Sequence, residues 1–470
     1  MTEITASAKI KRFFTLFRQA VAGSEQDYTS GSIRKAVFLL AIPMIMEMIM
    51  ESVFSVVDIF FVGKLGNAAV ATVGLTESIL AFVYSIAVGL SMAATAIVAR
   101  RVGEKNLQGA AEAGMQTILF SVVLSTIIAF AGVFFAGDIL RAMGANPKMI
   151  ADNIVYTKIM YGGNVVIMLI FLINGIFRGA GDASIAMRSL WISNIVNIIL
   201  CPLLINGLGP VPALGLNGAA IATTIGRGSG VLYQLYRLFI KRGLLNFYLY
   251  QLKPQKELLL QIINIGGTGT IQFLVSSASW VFMTRLVASF GEAAMAGYQI
   301  AIRIFIFFLL PAWGLSNAAA TLTGQNLGAG KPERAEESVR ITTLYTVIFM
   351  LCVSLFFFLF GKPVVNFMNS DIDARFYALQ ALRIISIGYV FFGIEMVMLN
   401  AFNGAGDTRT PTYVNLVGFW LFQIPLAWIL SQYVLKEPKA VFIAILISQF
   451  ITAVLSYYLY KKGKWKTVKV

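Results

Sequence analysis

An all-α polytopic membrane protein, its helices arranged as two related six-helix bundles, is the fold class this sequence predicts. Three observations carry that prediction. The 470 residues are 58% hydrophobic and only 13% charged, where an average soluble domain is roughly 25% charged. Apolar stretches of about 20 residues, the length that crosses a bilayer, recur along the whole chain. Segments of the first half also reappear in the second half at one constant spacing, the mark of an internal repeat.

Taken in order, the chain opens on KIKRFFTLFRQ, too interrupted by charge to be a cleavable signal. It predicts an interfacial helix with Phe13, Phe14, Leu16 and Phe17 toward lipid and Lys11, Arg12 and Arg18 toward headgroups. Spans follow near 37–63, 77–99, 116–136, 152–176, 186–205 and 213–238, then near 260–289, 296–322, 341–360, 378–402, 412–433 and 440–460, about twelve by the length criterion. Basic residues gather at Arg34 and Lys35, at Arg100, Arg101 and Lys105, at Lys241, Arg242, Lys253 and Lys256, at Lys331, Arg334 and Arg340, and in the Lys461–Lys466 tail. All of these segments fall on one side, which the positive-inside rule makes cytoplasmic, so both termini are expected inside. The expected divisions are a cytoplasmic segment 1–35, a first lobe 36–240, a linker 241–258, a second lobe 259–461 and a basic tail 462–470.

The repeat is ungapped over several spans. FRGAGD at 177–182 recurs as FNGAGD at 402–407, GLS at 89–91 recurs at 314–316, and Gly66 maps to Gly291, each at a shift of 225. Six spans per unit put both halves in the same orientation, an arrangement in which transporters place their substrate between or within the halves.

Several classes of function are disfavoured. Histidine is absent, which removes the commonest general base and counts against a membrane-embedded enzyme. Cys201 and Cys352 sit in apolar surroundings and read as small hydrophobes. The formal charge of +15 lies in loops and tails between spans, which fits membrane orientation and not nucleic-acid binding. The GAGD turns lack the preceding strand of a phosphate loop, so no nucleotide site and no cofactor is expected.

Chemistry concentrates in MIMEMIMESVFSVVDIFFVG, residues 44–63, which carries three carboxylates in an apolar run. Acids in hydrocarbon are costly and mark a polar surface. At about 100° per residue Glu47, Glu51 and Asp58 fall within roughly 40° of one another, on one stripe facing one cavity. With Lys35 and Lys64 as interfacial ends, Glu51 lies near the bilayer centre and Asp58 in the outer half. At the repeat-related positions stand Gln272, Ser276 and Met283, and Asn174 and Asn197 map to Leu399 and Phe422. A role in holding a bundle together would be needed twice, so polarity confined to one lobe points to function. Carboxylates crowded in a low-dielectric pocket bind protons or cations readily, the chemistry of an ion-coupled carrier.

VVDIFFVGKLG at 56–66 resembles the first-helix signature of the multidrug and toxic compound extrusion (MATE) family, and the paired GAGD turns resemble its RGxGD element. The likeness runs from about Ala36 to Tyr460. It implies a V-shaped pair of bundles that exports amphipathic or cationic compounds in exchange for H+ or Na+. By the resemblance Asp58, Tyr156, Asn174, Asn197 and Thr223 form the ion-coupling site, with Asp58, Asn174 and Asn197 as ligands if the ion is Na+. Where one branch has a second aspartate before a proline, this chain has Cys201, and the seventh helix carries no acid in IQFLVSSASW. Glu51 and Glu47 are expected to fill that gap, and Glu395 on the tenth helix stands near the other branch's acid.

The function expected from these residues is secondary antiport in a prokaryotic plasma membrane, by a monomer whose partners are small molecules and lipid. The alternative is a lipid-linked saccharide flippase of a related superfamily, which would want a cationic cavity for pyrophosphate. Arg285 and Arg303 are expected to snorkel.

Overall fold

In the computed structural model, residues 6–23, 26–207, 212–241, 243–368 and 371–470 are described; Arg242 of the basic linker lies outside them, as do residues 1–5 of the amino-terminal segment. The first bundle contains α1 (Ala6–Ala22), α2 (Ile33–Gly63), α3 (Asn67–Gly103), α4 (Leu107–Phe134), α5 (Ala136–Ala142), α6 (Pro147–Gly162), α7 (Asn164–Ala180), α8 (Ala183–Asn206) and α9 (Gly215–Phe239). The second contains α10 (Lys256–Ala288), α11 (Glu292–Gly328), α12 (Pro332–Met368), α13 (Ile372–Ile387), α14 (Tyr389–Gly404), α15 (Arg409–Val434, partly in wider π-type turns) and α16 (Lys439–Lys461).

Ten helical spans among the described residues, with α6 and α7 taken as one rod, are long and apolar enough to cross a membrane, and α13 with α14, bent by 52°, makes an eleventh. The remaining helix of the expected set is α9. Its 25 residues suffice in length, but Arg227, Gln234 and the run GRGSG make it too polar to qualify on apolarity. It packs closely on α8 all the same.

The constant spacing seen in the sequence is also a spacing of elements. Helix α3 begins at 67 and ends at 103, α11 begins at 292 and ends at 328, and α6 at 147–162 corresponds to α13 at 372–387, all 225 apart. Local chemistry sets these ends. Gly66 and Gly291 precede α3 and α11 with φ of +97° and +102°, left-handed values that disfavour a side chain. Asn146 and Asp371 cap α6 and α13, each accepting a backbone N–H three residues on, from Met149 at 2.8 Å and Ala374 at 2.7 Å.

The two bundles meet through their halves near the face that bears both termini, here the terminal face. Residues 93–99 of α3 and 318–327 of α11 are buried there, whereas residues 68–82 of α3 alternate with many exposed positions. Backbones touch at the crossing: a Cβ on Gly103 would stand 2.0 Å from the Gln325 carbonyl oxygen, and one on Gly314 2.4 Å from the Met44 carbonyl oxygen. At the far face, Gly63, Gly66, Gly74 and Gly291 have open space around them. Contact between the bundles is therefore concentrated toward the terminal face.

Both chain ends cross the closed face. Arg188 of the first bundle donates to the Val21 carbonyl at 2.8 Å, and Lys105 pairs with Asp27 at 3.0 Å. A few residues on, Lys331 and Arg334 of the second bundle donate to the carbonyls of Thr29 and Ser30 at 2.8 and 2.7 Å. The tail returns the other way. Trp465 is fully buried, its ring stacked on Tyr460 at 5.0 Å, Lys466 pairs with Glu336 at 2.6 Å, and Arg100 of the first bundle donates to the Val468 carbonyl. Phe13 and Phe14 of α1 are exposed and Ala20 is buried.

Candidate functional site

Helix α2 carries the three acids, and α8 runs parallel to it in a register that repeats along its length. Trp191 Nε1 donates to the Met46 carbonyl at 3.1 Å, and Asn194 Nδ2 reaches the Met50 carbonyl at 3.3 Å and Glu51 Oε2 at 3.4 Å. Cys201, seven residues beyond Asn194, stands within electrostatic reach of Asp58, seven beyond Glu51. Pro43 interrupts α2, and the residues before and just after it pack on Leu315, Ala318 and Leu322 of the second bundle. The acid-bearing half of α2 is thus presented to α8, with its start anchored across the crossing.

Each acid meets a different environment. Glu47, 1% exposed, accepts from Asn174 Nδ2 at 3.1 Å and lies 3.6 Å from the Arg178 guanidinium. Asn174 is held in turn: its Oδ1 accepts from Gln234 Nε2 at 2.6 Å and Ser189 Oγ at 3.1 Å. Glu51 is gripped by both terminal nitrogens of Arg227, at 2.5 and 3.1 Å, and the guanidinium also lies over the Phe54 ring at 4.8 Å. A forked pair of this kind is the strongest geometry available to a carboxylate. Asp58 has no such partner, and its Oδ1 is buried without any hydrogen bond.

Two of the three acids therefore face an arginine, and Asp58 does not. Arg178 and Arg227 went unnoticed in the sequence, although both occupy apolar spans. The repeat could have revealed them. Glu47 and Arg178 map to Gln272 and Asn403, and Glu51 and Arg227 map to Ser276 and Thr452, so each acid and its base are absent together from the second bundle. Glu77 of α3 was also missed. It is exposed and within electrostatic reach of Asp58.

The other expected residues divide between these levels. Asn174 belongs to the Glu47 network and is not brought to Asp58. Asn197 donates to Thr223 Oγ1 at 3.1 Å and keeps a buried, unpartnered Oδ1; on α8 it lies between Asn194, at the Glu51 level, and Cys201, at the Asp58 level. Tyr156 is 4% exposed and within electrostatic reach of Glu77 and Asp58. Glu395 stands apart in the second bundle, 4% exposed, accepting from Gln449 with its other oxygen unpartnered.

A cavity joins the bundles. One compartment of about 140 Å³ has Glu47, Glu51 and Arg178 on one wall and Trp313, Asn400 and Asn403 on the other. A neighbouring compartment of about 320 Å³ shares Met92, Trp313, Asn400 and Asn403 and extends to Glu395, Trp280 and Phe419. Aromatic and thioether walls with a few polar groups suit an amphipathic guest. Among the described residues no three His, Cys, Asp or Glu side chains converge as a metal cluster.

A family model described as MatE matches residues 43–203 and 270–429, more than half of the chain. The Bacillus subtilis protein named "Probable multidrug resistance protein YoeA" is 25% identical over 449 residues, covering 95% of this chain and 97% of that protein. A crystal structure of MATE in complex with MaL6 superposes with a TM-score of 0.89 at 25% identity, covering 96% of this chain and 100% of that one. A MOP superfamily transporter from Pyrococcus furiosus, whose binding pocket is described as of reverse polarity, superposes with a TM-score of 0.88 at 25% identity, covering 96% and 99%.

Proposed function

The chain belongs to the MatE family of multidrug efflux transporters, and on that premise we propose that it is a secondary antiporter that expels amphipathic or cationic small molecules in exchange for H+ or Na+ taken up at Asp58. The observation that carries this reading is the uncompensated carboxylate. Glu47 and Glu51 each have an arginine beside them, although Glu47 Oε2 is also buried without a donor, whereas Asp58 has no arginine partner and no donor to its buried Oδ1. A buried charge without a partner is stable only with a bound cation or proton, so among the three acids of α2 this position gains most from an exchangeable one.

Basic loops support reading the terminal face as cytoplasmic, and in that reading the protein sits in a prokaryotic plasma membrane with its cavity turned outward. A guest would rest its apolar body on Trp313 and Met92 and its positive group toward the Glu47–Glu51 wall or Glu395. Ion binding at Asp58 and release of the guest outward would then alternate. Each chain contains both bundles and the cavity between them, so a monomer suffices. The flippase alternative is weakened by the same ion pairs. Arg178 and Arg227 are the cations a pyrophosphate would need, and both are engaged by carboxylates.

Asp58→Asn at matched expression should abolish drug resistance, and full retained resistance would remove Asp58 from the mechanism. In proteoliposomes, imposed pH or Na+ gradients name the ion, and efflux that answers to neither would end the antiport reading.

A further inference from the structure

The resemblance left this chain one carboxylate short, and the two acids expected to supply it, Glu47 and Glu51, are tied to arginines. Glu77 is placed to supply it. Positions 77, 84 and 91 of α3 are seven apart and so share one face of the helix. Ser91 Oγ accepts from Arg178 at 3.1 Å beside the central cavity, and the Tyr84 ring packs edge-on against Phe171 at 5.9 Å. That face therefore looks into the first bundle, and Glu77 is its outermost polar group.

The level of Glu77 is fixed against α6 as well. Thr76 and Thr157 hydroxyls are hydrogen-bonded at 2.9 Å, which sets Glu77 and Tyr156, their respective neighbours in sequence, at the same height. Tyr156 is 4% exposed and within electrostatic reach of Glu77 and Asp58. At the same level Asp58 Oδ1 is buried without a hydrogen-bond partner. The ionisable groups around Glu77 are Asp58 from α2, Tyr84 from its own helix, Tyr156 from α6 and, beyond them, Cys201 from α8 and Arg227 from α9. Helix α6 also carries Lys148, Asp152 and Lys158, all exposed; α4 and α7 carry their only charged residues, Glu112 and Arg178, toward the terminal end, while α10 and α11 meet α3 near Gly89 and Gly103. The buried cation near this level, Arg227, is spent on Glu51. At the repeat-related positions Asp58 and Glu77 become Met283 and Ile302, so they too are lost as a pair.

We propose that Glu77 is the second carboxylate of the coupling site and that it shares a single monovalent cation, a proton or Na+, with Asp58 beside the Tyr156 hydroxyl. Two like charges within electrostatic reach of each other, one of them with a buried oxygen, disfavour both staying bare, so the first cation binds more tightly than a second. Glu77, the exposed member, is the point where that cation enters from and returns to outer water. This inference rests on the antiport reading with Asp58 at its centre.

The test compares Glu77→Gln, Asp58→Asn and the parent protein in proteoliposomes, with H+ and Na+ as the probes. Glu77→Gln should raise the cation concentration that gives half-maximal drug efflux by about tenfold or more, with drug binding in the absence of gradients changed less than twofold, and Glu77→Asp should recover part of the affinity. Parent-like cation dependence in Glu77→Gln together with an inactive Asp58→Asn would overturn the role of Glu77 and leave the antiport reading standing. Gradient-driven efflux by Asp58→Asn would overturn that reading itself. Should Glu77→Gln fail to fold, carbodiimide labelling of the unaltered protein decides: modification at Glu77 that rises with proton concentration, or is blocked by Na+, supports the shared site. Labelling indifferent to both refutes it.

Discussion

Replacing Arg227 with Met tests the ion-pair reading of the cavity most directly. Arg227 is 4% exposed and Glu51 21% exposed, and the guanidinium makes a forked contact of 2.5 and 3.1 Å. Removing one partner of a buried pair costs about 3–5 kcal/mol, because the other charge is left without compensation. Glu51 borders the cavity and keeps some access to water, so the lower end, about 3 kcal/mol, is expected, with up to about 1 kcal/mol more for the lost contact over Phe54. For a bundle of this size that is a fall in melting temperature on the order of 5–10 °C. Removing both charges should be far milder. Glu51→Leu combined with Arg227→Met is expected within about 1 kcal/mol of the parent, since apolar pairs of similar volume replace buried ion pairs without loss. Thermal unfolding in detergent, followed by tryptophan fluorescence, completes the cycle. If the two single losses simply add in the double variant, the carboxylate and guanidinium are not coupled and the charge accounting around Asp58 fails with them.

Asp27 gives the pH prediction. The Thr29 hydroxyl, helped by Lys105, holds its carboxyl down at about 2 from an ordinary 3.8, so its stabilisation is complete above about pH 4 and is lost only as pH falls toward 2. With its side chain 44% exposed, solvent screening reduces its worth to under about 1 kcal/mol, and Asp27→Asn should leave the pH profile of transport unchanged between 5 and 8. Gly314→Ala forces a methyl to within 2.4 Å of the Met44 carbonyl oxygen; an overpacking cost of about 1–3 kcal/mol should pry the terminal face open, seen as faster thiol labelling of a cysteine placed at Ala318, and unchanged labelling would show the crossing is soft. Trp465→Ala empties a fully buried site stacked on Tyr460, worth about 3–5 kcal/mol locally; the tail beyond it should become sensitive to carboxypeptidase, and a resistant tail would mean that Lys466 and Arg100 hold it alone.

Much of this molecule was legible before any coordinates. Hydrophobic length marked the spans because a bilayer demands it, and where it fell short, at α9, the cause was a polar inner face that only neighbouring helices make tolerable. The spacing of 225 foretold paired helix limits and caps, since the same local signals end the same helices in both halves. The acid stripe on α2 was readable from helical period alone. Its electrostatics were not. Arg178 and Arg227 come from α7 and α9, 131 and 176 residues from the acids they meet (178 − 47 and 227 − 51), and no local pattern announces a partner at that distance. Asn174 shows the same limit: the resemblance set it beside Asp58, whereas the structure sets it against Glu47.

The sequence alone determined that this chain lives in a bilayer, that it is a doubled six-helix design and that its polarity is lopsided, because hydrophobicity, repetition and helical period are properties of order along a chain. Which carboxylates meet an arginine was decided only by tertiary packing. Charge in a low-dielectric interior is settled by what stands within a few ångströms, and helices far apart in sequence bring arginine to Glu47 and Glu51 while leaving Asp58 and Glu77 without it.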